Sequence, residues 1–147
     1  MTQTQGLLLD SHVLLWLEAE SQLRPQTQLA IAAARTSANL YMSDISLWEL
    51  GVASHKRVFE RRPDLQGLTL EAWFSKKASF YGIRSLRITR RIAMEAANVP
   101  SIYGSGDPGD CFLIATARVH KLSLITHDTR ILALAKREPE YLSVTIC

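Results

Sequence analysis

The sequence predicts an α/β fold in which a mainly parallel β-sheet is covered by helices on both faces. Short apolar segments typical of buried strands alternate with longer segments of helical periodicity along the chain. One of the helical segments, residues 110–121, has almost no polar face and is predicted to lie centrally. The 147 residues, 47% hydrophobic and 21% charged, predict one globular domain over residues 1–147.

The first half of the chain begins with an uninterrupted apolar run, which predicts a buried strand. Val13, Leu14 and Leu17 then share one helical face, and Pro25 suits the first turn of the next helix. Pro63 interrupts the chain after a second strand and its helix. The predicted elements of this half are a strand at 6–10, helices at 11–20 and 26–35, a strand at 39–46 and a helix at 47–59.

The second half continues the alternation. Thr69 is a predicted helix cap, Pro100 is predicted to end a helix, and the Gly-, Ser- and Pro-rich residues 101–109 predict a loop. The predicted elements are a helix at 69–82, a strand at 83–88, helices at 89–100 and 110–121, a strand at 122–126, a helix at 127–137 and a strand at 141–146.

The charge balance favours an anionic partner without requiring one. The net charge is +3, and basic doublets recur, which could be solvated helix faces or a dispersed phosphate-contacting surface. The doublets are Lys56-Arg57, Arg61-Arg62, Lys76-Lys77, Arg90-Arg91 and Lys136-Arg137. No apolar run is long enough for a membrane span, and neither a secretory signal nor a disulfide framework is predicted, so a cytoplasmic protein is expected.

Four acidic residues fall where predicted strands give way to helices. Asp10 ends the first strand, Glu49 is placed in the first turn after the second strand, Asp110 opens the apolar helix, and Asp128 follows the strand at 122–126. The carboxyl ends of parallel strands share one edge of a sheet, where α/β proteins bind their ligands. These four acids are therefore predicted to converge.

Helix capping offers an alternative role for each of these acids. Asp10, Asp110 and Asp128 could be N-caps, and Ser46 with Glu49 matches the S-x-x-E capping box. Capping does not require an acid each time, because Ser, Thr and Asn cap about as well. Asp107, three residues before Asp110, has no predicted capping role.

Convergence of four carboxylates would also require a cation, because like charges at close range raise one another's pKa values. Mg²⁺ and Mn²⁺ prefer oxygen ligands, and Mg²⁺ leaves positions free for water and phosphate. A carboxylate–metal site in a basic protein indicates hydrolysis of phosphodiester bonds by a metal-activated water.

Four segments in this order carry a resemblance to a known family: LLLDSHVLLWL, MSDISLWELGV, GDPGDCFLIATA and LITHD. Together they resemble the PIN domain, specifically the VapC-type toxins of bacterial toxin–antitoxin pairs, over residues 7–146. The resemblance implies a three-layer α/β/α sandwich and a Mg²⁺- or Mn²⁺-dependent endoribonuclease that acts as a toxin. It further implies a homodimer and a cognate antitoxin whose tail enters the acidic site.

The motifs also imply roles for individual residues. Asp10, Glu49, Asp110 and Asp128 match the four family acids, predicted to be catalytic and to hold one or two metal ions. Asp107 fits a DP-x-D variant as an accessory acid. Thr126, and less directly Ser11 and Ser46, are expected to hold a metal-bound water or orient a carboxylate.

The sequence departs from the family pattern at two places. Relatives often have an arginine at the position of Cys111, which is expected here to be a packing residue, and many have a histidine in the loop that reads YGSG. His12 and His127 flank the predicted site and are expected to be local hydrogen-bonding residues rather than the catalytic base.

Two other functions fit parts of the pattern. A catalytically silent PIN-like module that binds RNA or a protein partner is one, although its expected mark would be the loss of an acid. A receiver-like domain phosphorylated on aspartate is the other, but it would need paired acids after the first strand. The apolar helix with Trp73 and Phe74 is expected to belong to the core, with an antitoxin groove as the alternative.

Overall fold

The computed structural model describes residues 5–17, 23–58 and 62–146. Within these residues a parallel sheet of five strands has the order β3-β2-β1-β4-β5. The strands are β1 (Leu7–Leu9), β2 (Leu40–Ser43), β3 (Arg84–Leu86), β4 (Ser123–Thr126) and β5 (Val144–Ile146). The helices are α1 (Ser11–Trp16), α2 (Pro25–Thr36), α3 (Asp44–Ala53), α4 (Leu70–Tyr81), α5 (Arg90–Tyr103), α6 (Pro108–His120) and α7 (Thr129–Arg137).

Each face of the sheet carries its own hydrophobic core. Leu9 belongs to a cluster with α1, α2 and α4, whereas Leu8 belongs to the opposite cluster, which includes residues of α5, α6 and α7. Adjacent residues of a strand point to opposite faces, so a strand that is apolar throughout requires a cover on both sides. The predicted three-layer α/β/α sandwich with a parallel sheet is therefore confirmed.

The strand register aligns the carboxyl ends of the central strands. Leu9 pairs with Met42 of β2 and with Ile125 of β4. Asp10 thus follows the middle strand, between the residues that end β2 and β4. This edge of the sheet is the predicted ligand-binding edge.

The predicted end of α5 at Pro100 is wrong. The helix continues to Tyr103 and ends at Gly104, whose backbone N–H donates to the carbonyl of Pro100. Proline lacks the N–H for one helical hydrogen bond, but Val99 and Tyr103 are buried, and α5 packs against α6 more extensively than any other pair of elements in the described residues. Tertiary packing thus carries the helix past the proline.

The predicted starts of α3 and α6 are also wrong, and both errors concern the site. Helix α3 begins at Asp44 with Ser43 as its N-cap, so Glu49 lies in the second turn and forms no capping box with Ser46. Helix α6 begins at Pro108 with Asp107 as its N-cap. Proline is favoured at the first helical position because its missing N–H would have no partner there.

The expected core position of the apolar helix α4 is confirmed. Trp73 and Phe74 are buried in the core, and Thr69 caps their helix. Every helix in the described ranges is too short or too polar to cross a membrane. The predicted helical residues 18–20 and 59, the predicted doublet partner Arg61, and Cys147 lie outside the described residues.

Candidate metal centre

Asp10 is held in place by three donors at the carboxyl end of β1. The Thr126 hydroxyl donates to its Oδ2 at 2.6 Å, and the Ser11 hydroxyl and the His12 backbone N–H donate to its Oδ1 at 3.1 Å and 3.2 Å. Burial favours the neutral acid, but hydrogen bonds from His12 and Thr126 outweigh it and lower the pKa of Asp10. Asp10 is therefore a fixed carboxylate that stays ionised.

Thr126 connects Asp10 to Asp128. Its hydroxyl also accepts a hydrogen bond from the Asp128 backbone N–H at 3.1 Å. Asp128 caps α7 through its Oδ1, which accepts from the backbone N–H groups of Arg130 and Ile131 at 2.9 Å and 3.3 Å. The buried hydroxyl therefore fixes two of the four predicted acids, as expected for an orienting residue.

The structure assigns the cap of α6 to Asp107 and not to Asp110, which was the capping candidate in the sequence. Asp107 is the residue that caps α6, since its Oδ1 accepts from the Asp110 backbone N–H at 3.1 Å. Asp110 is the third residue of the helix, and Asp107 is the residue that caps it. The Asp110 Oδ2 accepts instead from the Tyr103 hydroxyl at 2.8 Å and lies 3.4 Å from the Arg130 guanidinium.

The environment of Asp110 opposes its ionisation. Burial is the largest cause, and the negative charges of Asp107 and Asp128 add to it. The Tyr103 hydrogen bond and the positive charge of Arg130 act in the other direction without cancelling the effect, so the pKa of Asp110 is raised. A cation near Asp110 would relieve this cost.

Glu49 reaches the acidic edge from the second turn of α3 and lies against the backbone of Gly109. A Cβ at Gly109 would lie 2.7 Å from the Glu49 Cδ and 2.8 Å from its Oε2. Burial, followed by the negative charges of Asp10, Asp110 and Asp107, raises the pKa of Glu49 to about 7. The environment of Glu49 therefore opposes its ionisation, as that of Asp110 does.

Two open clefts meet at this acidic edge. One, of about 570 Å³, is lined by Glu49 and Asp107 together with the basic residues Lys56 and Arg62. The other, of about 550 Å³, is lined by Asp10, Asp128 and Arg130 among others, and His12 lines both. Carboxylates with basic residues at their margin suit an anionic ligand that is held next to a metal ion.

The donors at this edge are oxygen atoms of carboxylates and hydroxyls, the ligand type that hard divalent cations prefer. Ser46 adds a buried hydroxyl that finds no hydrogen-bond partner in the described part of the chain. In the described ranges, no three His, Cys, Asp or Glu side chains come close enough to enclose a metal ion by themselves. The chemistry of the donor set fits a divalent cation that keeps part of its water shell.

Three residues of this site escaped sequence reasoning. Tyr103 was assigned to a loop, Arg130 to an ordinary helix, and Gly109 to a loop before the helix. Their signals were weak, because a tyrosine seven residues before an acid and an arginine two residues after one are common. Cys111 is buried in the core, as expected, and burial raises the pKa of its thiol.

His12 and His127, expected to be local hydrogen-bonding residues, have different surroundings in the structure. The Nδ1 of His12 lies 3.8 Å from Asp10 Oδ1, and the interaction with this carboxylate raises the pKa of His12. His127 instead packs its ring on Trp16. Lys77 is buried, and its ammonium group lies over the rings of Trp73 and Tyr81. The interpretation of the basic doublets as solvated helix faces is therefore wrong for Lys77.

The fold and the acidic edge together define an α/β/α protein of the PIN class. The model of the PIN domain family matches residues 7–137, and the chain belongs to this family. Among its relatives is Ribonuclease VapC22 of Mycobacterium tuberculosis, which is 33% identical over 129 residues, 85% of this chain and 88% of the relative. The resemblance predicted from the four motifs is confirmed.

Solved structures of this fold include two complexes with DNA. One is VapBC2 from Rickettsia felis bound to a DNA fragment from its promoter, with a TM-score of 0.64 and 13% identity over 96% of this chain and 98% of that one. The other is DNA-bound VapBC from Salmonella typhimurium, with a TM-score of 0.61 and 13% identity over 97% and 98%. At this level of identity the likeness concerns the fold.

Proposed function

We propose that this protein is a Mg²⁺- or Mn²⁺-dependent endoribonuclease and the toxin of a toxin–antitoxin module. The observation that carries the proposal is the set of acids at one sheet edge, where burial and then the negative charges of Asp10, Asp110 and Asp107 raise the pKa of Glu49 to about 7. The relative named as a ribonuclease supports the reaction class. One domain spanning the chain is part of the proposal.

Asp10, Glu49, Asp110 and Asp128 are the residues proposed to hold the metal, directly or through water. Mg²⁺ commonly binds through one or two carboxylates and retains several waters, which matches the open arrangement of these acids. When bound, the metal would lower the pKa of a water and offset charge developing on the phosphate.

The protein's own residues divide the remaining work. Asp10, which hydrogen bonds keep ionised, provides a constant negative charge. Glu49, which lines the cleft beside Asp107, is the acid proposed to accept a proton from the attacking water. Tyr103 and Arg130 orient Asp110, and Thr126 aligns Asp10 with Asp128.

Basic residues at the margins of both clefts are proposed to hold the RNA backbone. Lys56 and Arg62 line the cleft with Glu49, and Arg130, whose side chain is 60% exposed, lines the cleft with Asp10. One residue from each of two basic doublets, Lys56 and Arg62, thus lines the site, which supports the phosphate-contacting interpretation for these two residues.

Cleavage of RNA with and without EDTA tests the reaction. Wild type should cut a structured RNA only with Mg²⁺ or Mn²⁺, and Asp10→Asn should reduce the rate by at least about 10²-fold. Glu140→Gln is the control, because Glu140 is exposed in a different pocket with Lys121. Folded Asp10→Asn cutting at the wild-type rate would overturn the mechanism, and metal binding without cleavage would favour the silent module.

The toxin role predicts a protein partner that blocks this site. The structural relatives include a toxin–antitoxin complex from Klebsiella pneumoniae, and we propose that this chain likewise pairs with an antitoxin and forms a homodimer. Expression in a bacterial host should arrest growth, and co-expression of the small protein encoded beside the gene should restore it. Growth arrest by the Asp10→Asn variant at the wild-type level would contradict a toxicity based on cleavage.

A further inference from the structure

Three aromatic rings from two separate segments form a wall beside the acidic edge. Trp16, at the end of α1, packs against the core on one side. Its ring lies 4.4 Å from that of His127 and 5.9 Å from that of His12, measured between ring centroids. We call His12, Trp16 and His127 the aromatic wall.

The wall is part of the candidate site rather than a distant surface feature. All three residues line the same cleft as Asp10, Asp128 and Arg130. The volume of this cleft, about 550 Å³, lies within the range of about 300–1,000 Å³ that small-molecule sites occupy. A group bound on the wall would therefore lie beside two of the carboxylates and a guanidinium.

Core packing does not account for the two histidines. Both residues are exposed, and the His12 side chain retains 71% of its accessible surface. Among the described residues, Trp16 is the aromatic partner of the His127 ring, at 4.4 Å between ring centroids. Flat ring surface thus remains available to a ligand.

We propose that the aromatic wall binds one unpaired nucleobase of the RNA, while Arg130 contacts a neighbouring phosphate. This inference rests on the proposed function and names a base-binding subsite for it. Proteins recognise single-stranded RNA by stacking splayed-out bases on aromatic or histidine rings, and basic residues hold the backbone. The wall and Arg130 supply both kinds of contact within one cleft.

Paired substitutions at His127 separate stacking from polarity. His127→Phe keeps a flat ring and loses the ring nitrogens, whereas His127→Gln keeps a polar side chain and loses the ring. Binding of a short labelled single-stranded RNA is measured by fluorescence anisotropy with Ca²⁺ in place of Mg²⁺. The same RNA is also prepared as a series in which one nucleotide at a time lacks its base.

For wild type, removal of one base in the series should weaken binding about five- to tenfold, because that base stacks on the wall. His127→Gln should bind the intact RNA more weakly by a similar factor and be insensitive to the same missing base. His127→Phe should behave like wild type. His120→Gln is the matched control, since His120 is exposed at the far end of α6.

The outcomes distinguish this inference from the proposed function. If wild type neither binds nor cleaves RNA, both fail. If RNA is bound and cleaved but His127→Gln keeps the full sensitivity to the missing base, only the aromatic wall is overturned as a base site. Equal weakening by His127→Phe and His127→Gln would also overturn it, because an imidazole nitrogen rather than a ring face would then make the contact.

Discussion

The carboxylate of Glu49 lies so close to Gly109 that a Cβ on that glycine would be 2.8 Å from its Oε2. The contact joins the second turn of α3 to the first turn of α6, the two elements that carry Glu49 and Asp110. Because Gly109 has no side chain, the backbone of α6 leaves room for an acid that burial and like charges already make costly.

Gly109→Ala is expected to lower cleavage by about 10²-fold while leaving the free energy of unfolding within about 1 kcal/mol of wild type. The added methyl group displaces the flexible end of Glu49, and alanine is the better helix former. Cleavage rates and urea denaturation measure the two effects.

Gly51→Ala is the control for that substitution, since its Cβ would meet only Leu70 at an ordinary 3.5 Å. It should gain similar helix stability and keep full activity. An active Gly109→Ala variant would show that the position of Glu49 against α6 does not matter to the reaction.

The contribution of Glu49 to the stability of the metal-free protein should be lost as pH rises from about 4.5 to about 7. The pKa of Glu49 is about 7 in the fold, against an ordinary value of 4.5 for a solvated glutamate, so this group binds more protons in the folded state than in the unfolded state in this range. Glu49→Gln should lack this contribution. Urea denaturation in EDTA across the range measures the difference between the two proteins, with Glu140→Gln as control, and parallel curves for wild type and Glu49→Gln would contradict the prediction.

Thr126→Val should destabilise the protein by about 1–3 kcal/mol, because the change leaves the buried Asp10 Oδ2 without its 2.6 Å donor and the Asp128 N–H without its acceptor. The pKa of Asp10 should rise for the same reason. Thr126→Ser keeps the hydroxyl and should retain both properties. Denaturation and NMR titration of the Asp10 carboxyl carbon provide the measurements, and a valine variant as stable as the serine variant would count against the bridging role.

Tyr103→Phe should raise the Mg²⁺ concentration needed for half-maximal cleavage by about tenfold, since residues that orient a metal ligand influence affinity on that scale. The substitution removes the 2.8 Å hydrogen bond to Asp110 and so raises the pKa of that carboxyl further. Tyr141→Phe is the matched control, because the Tyr141 hydroxyl is buried without a hydrogen-bond partner. If both variants need the same Mg²⁺ concentration for half-maximal cleavage, the proposed role of Tyr103 in orienting Asp110 is wrong.

The sequence by itself determined the α/β class and the order of the strands and helices along the chain, and it singled out the four acids as candidate site residues. These follow from hydrophobic periodicity and from motif order, which are local properties of the chain. The ends of the helices depend on tertiary packing, which these local properties do not record. Helix α5 continues through Pro100 because it packs against α6. Helix α3 begins about one turn earlier than predicted, so Glu49 lies in its second turn and does not belong to a capping box.

Only the tertiary structure decided which side chains surround the acids. Tyr103 and Arg130 meet at Asp110 from α5 and α7, and His127 meets Trp16 across more than one hundred residues of sequence. Such pairs depend on the sheet order and on the angles at which the helices pack, and no local pattern records either. The raised pKa of Glu49 has the same origin, because burial and charges from other elements produce it.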